Sequence, residues 1–331
     1  MKALLLAGGF GTRLRPLTYT RPKHLLPVAN RAHIDHVLDL LQGADVTDVV
    51  LLTSYLAERF EQAIEDARAR GISVQLAHEK DPLGTAGALK NAEAFVGDDT
   101  FLVFNADVLT DADLGAVVGF HRASSAEATI LLTPVEDPSA FGVVPTDANG
   151  LVTGFIEKPP PGESPTNLIN AGVYVMEPSV LDRIPKGEPW SAERALFPGL
   201  VEEGARLFAT STDAYWMDIG TPDKYLQANL DALHGHFTSP STGTPDENHV
   251  LLGLDVLLED DVRISSSCLG ERTEVQSGAE IRGSVLLPGA VVSRRARVES
   301  SILGEAVTVL EGARIAGRTI ADGEIVGSAD D

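Results

Sequence analysis

The sequence is poor in cysteine, in positive charge and in long apolar runs. Its 331 residues include one cysteine, Cys268. A single thiol excludes an internal disulfide and any metal site built from several thiolates, and it is typical of a reducing compartment. We therefore expect a cytoplasmic protein.

Apolar runs are too short to predict a membrane protein. No stretch approaches the ~20 apolar residues that a membrane-spanning helix requires. The apolar run at residues 3–7 is brief and soon followed by arginines, so it does not predict a secretory signal. Lys and Arg number 26 against 48 Asp and Glu, for a net charge of −22, and basic residues are concentrated only near the N-terminus. The short apolar runs argue against a membrane, and this charge balance argues against a nucleic-acid partner.

The first 34 residues reverse this charge balance, because they contain no Asp or Glu at all. A chain this acidic repels anions at long range, so an anionic ligand has to be held by local geometry. The pattern predicts a phosphate-binding site within this cationic segment. Its basic residues are Lys2, Arg13, Arg15, Arg21, Lys23 and Arg31.

Residues 1–235 alternate apolar runs with amphipathic stretches, which predicts an α/β domain. Helical spacing is found at 34–41, 55–70 and 83–95. This succession favours a mainly parallel sheet that is covered by helices on both faces and becomes mixed in its later part. Residues 236–249 are rich in turn residues and predict a linker. The expected strands are 3–7, 49–53, 74–77, 101–105, 128–134, 141–145, 152–156 and 171–176.

Residues 250–331 form a repeat with a period of 17. Aliphatic residues recur in steps of six, six and five, which predicts three short parallel strands per coil and one inward side chain per strand. Such a triangular solenoid resembles the hexapeptide-repeat left-handed β-helix, and its handedness is taken from that resemblance. The repeated positions are Leu252, Leu258, Ile264, Leu269, Val275, Ile281, Leu286, Val292, Val298, Leu303, Val309, Ile315, Ile320 and Val326.

A glycine loop follows the first expected strand directly, with the sequence AGGFGTRLRP at 7–16. Glycines allow backbone N–H groups to approach phosphate oxygens, and Arg13 can hold such a group bidentately. Neither of the common nucleotide fingerprints fits, because GxGxxG would need a glycine at Leu14 and the P-loop would end in Gly-Lys-Ser/Thr. The loop alone is equally compatible with a glycine turn bearing surface arginines.

Seven motifs in a fixed order decide between these alternatives. Together they closely resemble the sugar-1-phosphate nucleotidyltransferases, and the resemblance covers essentially the whole chain. It implies an enzyme that joins a nucleoside triphosphate to a sugar 1-phosphate and releases pyrophosphate, on a Rossmann-like domain followed by a β-helix. The motifs are GGxGTRLxPLT (8–18) with Pro22-Lys23, EKDPLGTAG (79–87), NAD (105–107), FG (141–142), EKP (157–159), NAG (170–172) and WMDIGTP (216–222).

The resemblance also implies roles for individual residues. Arg13 and Lys23 neutralise the triphosphate, while Asp107 and Asp218 hold Mg²⁺, which prefers oxygen ligands. These four are the expected catalytic residues. Gly142, Glu157, Lys158, Asn170 and Trp216 are expected to bind the sugar phosphate. The expected nucleotide-binding residues are Leu6, Ala7, Gly8, Gly9, Gly11, Thr12, Arg13, Glu79, Pro82, Gly84 and Thr85.

Glu79 bears on the choice of base. A carboxylate accepts two hydrogen bonds at once, and guanine presents an N1–H and an N2 amine on one edge. The motif variants look most like the branch of the family that acts on GTP and mannose 1-phosphate. The glucose-1-phosphate thymidylyl branch typically has Gln at this position and Gly-Asp-Asn at 105–107. Thymidylyl and adenylyl transfer remain alternatives, and a solvated Glu79 beside Lys80 is the structural alternative.

Two further alternatives concern the role of the chain as a whole. Acyl transfer by the β-helix would need a histidine base, and residues 250–331 contain neither His nor Lys. A non-catalytic regulatory subunit could have lost the cations and carboxylates that are present here. We therefore expect an active enzyme that forms a homo-oligomer through its β-helix, so that truncation near Pro245 leaves some activity. His33 and His36 are expected on a solvated helix face.

Overall fold

A computed structural model of the chain describes residues 1–327. Its contacts divide these residues into two compact units. The first unit comprises Met1–Gly9 and Val37–Trp216, and the second comprises Phe10–His36 and the chain from Met217 onward. The predicted boundaries at 235 and 250 remain predictions, but the contacts add a grouping that the sequence did not suggest: the segment Phe10–His36 belongs with the β-helix.

Thirteen strands precede the repeat. Most of them are short apolar runs in which successive residues are buried, as expected where both faces of a sheet are covered. The strands are β1 (Lys2–Leu6), β2 (Pro27–Val28), β3 (Arg31–Ala32), β4 (Asp48–Thr53), β5 (Ser73–His78), β6 (Phe101–Asn105), β7 (Val108–Thr110), β8 (Ala128–Pro134), β9 (Gly142–Val143), β10 (Ile156–Glu157), β11 (Leu168–Met176), β12 (Leu207–Ser211) and β13 (Trp216–Asp218).

Seven α-helices also lie before the repeat. The predicted helix at 55–70 begins as a 3₁₀ turn, Ala57–Phe60, because Leu56 adopts a left-handed conformation with φ of 48°. The helices are α1 (His33–Gly43), α2 (Glu61–Ala69), α3 (Gly84–Asn91), α4 (Glu93–Val96), α5 (Leu114–Ala123), α6 (Phe197–Glu202) and α7 (Pro222–Leu233). None of the helices in the described part of the chain is both long and apolar enough to cross a bilayer.

The first unit is built on a nine-stranded mixed sheet. Strand β1 lies between β4 and β6 and is parallel to both, and β5 extends the parallel part beyond β4. Strand β11 is antiparallel to β6 and to β8, which makes the later part mixed, as the sequence predicted. Tyr174, Phe197 and Met176 lie in the hydrophobic core that this sheet shares with its helices. The sheet brings the C-terminal ends of β1, β4 and β6 to one edge.

The second unit contains the β-helix. In the described residues its fourteen strands form three parallel sheets, and within each sheet successive strands pair at a spacing of 17 residues, as in Cys268↔Val285↔Ile302. Every strand carries one of the fourteen repeated aliphatic positions, so the predicted solenoid is confirmed. The strands are β14 (Val250–Leu252), β15 (Leu257–Leu258), β16 (Arg263–Ser265), β17 (Ser267–Leu269), β18 (Glu274–Val275), β19 (Glu280–Arg282), β20 (Val285–Leu286), β21 (Val291–Val292), β22 (Arg297–Glu299), β23 (Ile302–Leu303), β24 (Thr308–Val309), β25 (Arg314–Ala316), β26 (Thr319–Ile320) and β27 (Ile325–Val326).

The prediction for the two histidines is wrong. His33 and His36 are each only 2% exposed. The His36 Nδ1 atom lies 2.6 Å from Ser239 Oγ, and its ring packs edge-on against Phe237 at 5.5 Å. The face that looked solvated from local spacing is covered by residues about 200 positions away, which helical periodicity does not report.

Candidate active site

The glycine loop leaves β1 with little room for a side chain at Gly8. The Ala7 N–H extends the pairing by donating to the Leu52 carbonyl at 2.9 Å. The Ser54 hydroxyl, just beyond β4, donates to the Gly8 carbonyl at 2.5 Å, and a Cβ at Gly8 would lie 3.1 Å from that hydroxyl oxygen. Leu6, Ala7, Gly8 and Gly9 therefore run along the C-terminal edge of the sheet, with exposed backbone at Gly9.

Glu79 reaches the same place from β5. A Cβ at Gly8 would be 3.7 Å from the Glu79 Oε1 atom. The Glu79 residue is 5% exposed, and its Oε2 atom accepts the Leu83 N–H at 2.9 Å. Burial raises the pKa of this carboxyl, and the Leu83 hydrogen bond and the His78 charge offset only part of that effect. A solvated Glu79, the structural alternative from the sequence, is excluded.

The rest of the EKDPLGTAG motif leads into α3, which begins at Gly84, and is held by backbone hydrogen bonds to Trp190. Gly84 has φ of +71°, and a Cβ there would come within 2.9 Å of the Trp190 carbonyl oxygen. That carbonyl accepts the N–H groups of Ala86 and Gly87, and the Trp190 N–H donates to the Leu83 carbonyl at 2.7 Å. Pro82 is exposed beside this anchored turn.

Thr85 connects the turn to Glu193, a residue that the sequence analysis missed. The Thr85 and Ser191 hydroxyls both donate to Glu193 Oε2 at 2.8 Å. The Thr85 hydroxyl oxygen also accepts the Ala192 N–H at 2.8 Å. Glu193 lies outside every motif that carried the resemblance, so only its charge next to an apolar run could have drawn attention to it.

Glu157 ends β10 and Lys158 follows it, and Gly142 lies opposite Glu157 in β9. A Cβ at Gly142 would be 3.1 Å from Glu157 Oε2, so glycine leaves room for the carboxylate. Burial and then the negative charge of Glu193 raise the pKa of Glu157, against the lowering effect of Lys158 and Arg194. The Lys158 side chain is 59% exposed, with its Nζ atom 3.9 Å from Glu157 Oε1. It extends toward solvent.

Asn170 and Trp216 are fixed around an irregularity in β11. The pairing of β11 with β8 changes register between Asn170 and Tyr174. The Asn170 amide donates to the Tyr174 hydroxyl at 2.7 Å and accepts the Gly172 N–H at 3.0 Å. The Trp216 indole N–H donates to the Ala171 carbonyl at 2.9 Å, and its ring packs edge-on against Phe141 at 5.5 Å. These bonds hold both side chains in one orientation.

In the second unit, the side chains of Arg13 and Asp218 both lie close to Gly220. A Cβ at Gly220 would lie 2.6 Å from Arg13 Nη2 and 2.9 Å from Asp218 Oδ1. Lys224, another residue that the sequence analysis missed, places its Nζ atom 3.6 Å from Asp218 Oδ2. Its position in the first turn of α7, directly after the WMDIGTP motif, was the available signal. This part of the unit brings together one carboxylate and two cations.

The remaining predicted residues have simpler surroundings. Gly11 has φ of +62° and accepts the Thr18 hydroxyl on its carbonyl at 2.8 Å, and Thr12 is exposed at the start of the 3₁₀ turn Thr12–Leu14. Lys23 is half-buried and begins the 3₁₀ turn Lys23–Leu25. Asp107 is half-buried just beyond β6 in the first unit. Among residues 1–327, no group of three or more His, Cys, Asp or Glu side chains forms a metal cluster.

The fold and these motifs define a nucleotidyltransferase. Residues 2–235 match the family model described as nucleotidyl transferase, and residues 250–326 match the GlmU-like C-terminal hexapeptide model. The chain belongs to the nucleotidyl transferase family, and its C-terminal repeat is a left-handed β-helix. This family generally uses a divalent metal.

Individual relatives give a narrower comparison. The chain is 39% identical to a mannose-1-phosphate guanylyltransferase of Mycobacterium tuberculosis, over 88% of this chain and 80% of that protein. It is 38% identical to a mannose-1-phosphate guanyltransferase of Schizosaccharomyces pombe, over 81% and 74%. Among solved structures, HddC from Yersinia pseudotuberculosis complexed with GMP-PN superposes with a TM-score of 0.60 at 26% identity, over 69% of this chain and 97% of that one.

Proposed function

We propose that the chain transfers a guanylyl group from GTP to mannose 1-phosphate and so forms GDP-mannose and pyrophosphate. The observation that carries the proposal is the similarity to bacterial and yeast mannose-1-phosphate guanylyltransferases over more than four fifths of the chain. The buried Glu79 carboxylate beside Gly8 supports the choice of base.

The reaction needs positioning and positive charge. A phosphate oxygen of the sugar 1-phosphate attacks the α-phosphorus of the triphosphate. The bond from that phosphorus to the bridging oxygen breaks, and pyrophosphate leaves with the electron pair. Two anions have to approach each other, so cations contribute most. Arg13 and Lys23 neutralise the triphosphate in this proposal, and Lys158 holds the sugar phosphate.

The proposal assigns Asp107 and Asp218 as ligands of Mg²⁺. Both are partly exposed carboxylates at strand termini, Asp107 just beyond β6 and Asp218 at the end of β13, and Mg²⁺ is typically held by one or two carboxylates together with substrate phosphates. The donor chemistry therefore fits. When bound, the ion neutralises phosphate charge and orients the phosphates. Lys224 lies within ion-pair distance of Asp218, and the Arg13 guanidinium lies close to Gly220 on the same side as that carboxylate.

Base selection rests on Glu79. One of its oxygens accepts the Leu83 N–H, and a carboxylate has about four acceptor positions, so capacity for the guanine N1–H and N2–H groups remains. On the sugar side, Glu157 and Asn170 supply hydrogen-bonding groups for hydroxyls, and Trp216 forms an apolar wall.

The deciding experiment is a matrix of GTP, dTTP, UTP and ATP against mannose 1-phosphate and glucose 1-phosphate, read by pyrophosphate release. GTP with mannose 1-phosphate should give the highest kcat/KM. A preference for dTTP with glucose 1-phosphate would replace the proposal with thymidylyl transfer. No turnover of any pair, in a folded protein supplied with Mg²⁺, would indicate a non-catalytic subunit.

The proposal also includes self-association through the first coil of the β-helix. Four leucines are exposed there: Leu252 by 45%, Leu254 by 75%, Leu257 by 64% and Leu258 by 45%. Clustered exposed leucines typically mark an interface, and the edge strand of a solenoid needs a cover. Replacing Leu254 and Leu257 with Glu should lower the sedimentation coefficient. An unchanged oligomeric state would exclude this surface.

A further inference from the structure

The segment Phe10–His36 carries the predicted triphosphate cations, yet it belongs to the same unit as the β-helix. Lys23 and Arg13 are assigned to the triphosphate, whereas nothing assigns a role to Arg21 between them. The contacts of Arg21 explain how this segment is held.

Arg21 bridges two carboxylates of the last coils. Its Nη1 lies 2.6 Å from Glu305 Oε1, and its Nη2 lies 2.6 Å from Asp322 Oδ2. The Arg21 side chain is only 11% exposed. An arginine that is shielded from water and bonded to two carboxylates is held more firmly than one in an exposed pair.

The two acceptors are themselves fixed. Asp322 Oδ2 also accepts the Thr20 hydroxyl at 2.7 Å, and Asp322 Oδ1 accepts the Glu305 N–H at 2.8 Å. Glu305 and Asp322 are one 17-residue repeat apart, so they occupy equivalent places on neighbouring coils. The solenoid thus presents a stacked pair of carboxylates to a single guanidinium.

A second anchor lies at the other end of the segment. The Asn30 amide donates to the Leu251 carbonyl at 3.2 Å and to the Leu269 carbonyl at 2.9 Å, on the first two coils. The Tyr225 hydroxyl on α7 donates to the Pro27 carbonyl at 2.6 Å. The turn Lys23–Leu25 therefore lies between attachments to the last coils, through Arg21, and to the first coils, through Asn30.

We propose that Arg21 is a positioning residue, which uses the last coils of the β-helix to hold Lys23 and Arg13 in place for the triphosphate. This inference rests on the proposed function. It gives the β-helix a part in turnover, and it reverses the expectation that truncation near Pro245 preserves activity, because truncation removes both partners of Arg21.

Arg21→Ala tests the inference in the full-length chain. We expect kcat/KM for the triphosphate to fall about ten- to hundredfold, as is typical when a reacting group loses its placement. The KM for the sugar phosphate should stay within about twofold, since Lys158 is unaffected, and Arg21→Lys should restore part of the loss. Asp322→Ala should mimic Arg21→Ala, and the double variant should be no worse than either one.

Arg183 provides a matched control. It too bridges two carboxylates, Glu127 at 2.8 Å and Glu203 at 2.9 Å, but in the first unit and outside the candidate site. Arg183→Ala should lower Tm without changing the kinetics. Equal kinetic losses in the two variants, or a folded Arg21→Ala protein with wild-type kcat/KM, would overturn the inference.

A readout that is independent of activity separates this inference from the proposed function. Amide hydrogen exchange at Leu14, Leu17, Leu25 and Leu26 should accelerate in Arg21→Ala and not in Arg183→Ala. If the wild-type protein turns over no substrate pair, the proposed function fails, but this exchange result still decides whether Arg21 holds the segment. Unchanged exchange at all four amides would refute the anchoring.

Discussion

The sheet of the first unit and the β-helix of the second differ in the sequence separation of their paired strands. In the first unit, β1 pairs with β4 and β6, strands that are separated from it by 40 to 100 residues and share no spacing. In the β-helix, each strand pairs with the one 17 residues later, as in Val275↔Val292↔Val309. The β-helix is therefore simple to predict from the sequence, yet none of the predicted site residues lies within its repeat.

This difference indicates which positions in each unit are free to carry functional side chains. The repeat constrains the inward aliphatic position in every coil, so residues at its other positions, such as Glu305 and Asp322, can acquire another task without disturbing the aliphatic column. In the first unit, most of the predicted site residues lie at strand ends, at the irregularity in β11 or at the start of α3, where strand pairing makes no demand on the side chain. The residues proposed to bind the base and the sugar lie in that unit, whereas Arg13, Lys23 and Asp218 lie in the unit of the β-helix.

Removing a carboxylate from either unit should have the largest effect. We expect Asp107→Ala and Asp218→Ala each to reduce kcat about a thousandfold, since each would remove a ligand of the cation that neutralises the phosphates. The exposed residues Asp98 and Asp223 give controls, whose Ala variants should remain near wild type. Full activity in EDTA, or in either site variant, contradicts the assignment.

Replacing the predicted site lysine of each unit should affect a different substrate. Lys158→Ala should raise the KM for the sugar phosphate about ten- to hundredfold, because a charge-assisted contact to its phosphate is lost. Lys23→Ala should act instead on kcat and on the use of the triphosphate. Steady-state kinetics with each substrate varied in turn measures both. Equal effects on both substrates from both variants would show that the cations are assigned to the wrong partners.

Much of the fold could be predicted because its signals are local. The β-helix follows from a repeated aliphatic position, and the strands at 101–105 and 128–134 follow from buried apolar runs bounded by polar residues. The order of the strands in the sheet could not be read in this way. The covering of His36 by Ser239 and Phe237 is likewise a long-range effect, and local spacing gave the opposite expectation.

The candidate site likewise divides into residues that local motifs identify and residues that act through long-range contacts. Gly8 and Glu79 were identified from motifs, and the structure places them so close together that a Cβ at Gly8 would be 3.7 Å from Glu79 Oε1. Arg21 and Glu193 were not assigned roles, because each acts through partners far along the chain: 284 and 301 residues away for Arg21, and 108 for Glu193 with Thr85. A sequence motif records the residues that meet the substrate more readily than those that hold them in place.

Glu79→Gln tests base selection within the first unit. The Leu83 N–H needs an acceptor, so the amide oxygen of Gln should turn to Leu83 and present its NH₂ group to the base. That group opposes the guanine N1–H donor. We expect kcat/KM for GTP relative to dTTP to fall about ten- to hundredfold. Lys80→Ala, an exposed neighbour, should leave the ratio unchanged. An unaltered ratio in Glu79→Gln would exclude this carboxylate from base selection.

The smallest effect should come from Glu193, which accepts the Thr85 hydroxyl in the nucleotide turn (the proposed nucleotide-binding residues 82–85) and raises the pKa of Glu157, a proposed sugar ligand. Glu193→Gln keeps an acceptor for Thr85 and Ser191 but removes a charge that raises the pKa of Glu157. At neutral pH we expect a change in kcat/KM of about threefold or less, since a single hydrogen bond is worth about 1 kcal/mol.

The informative quantity for this variant is the pH profile. Glu157 holds its proton to a higher pH than an ordinary glutamate, because burial and the Glu193 charge both disfavour its ionised form. Loss of the Glu193 charge lowers that pKa, so the acidic limb of kcat/KM for the sugar phosphate should move to lower pH.

The pH dependence of the folding stability should change in the same direction. A raised carboxyl pKa costs stability as pH rises from the unfolded value toward the folded one, and Glu193→Gln should reduce that loss. Glu188→Gln removes an exposed charge from the same segment and should shift neither curve. An acidic limb that stays in place in Glu193→Gln would show that Glu193 acts on the nucleotide turn alone.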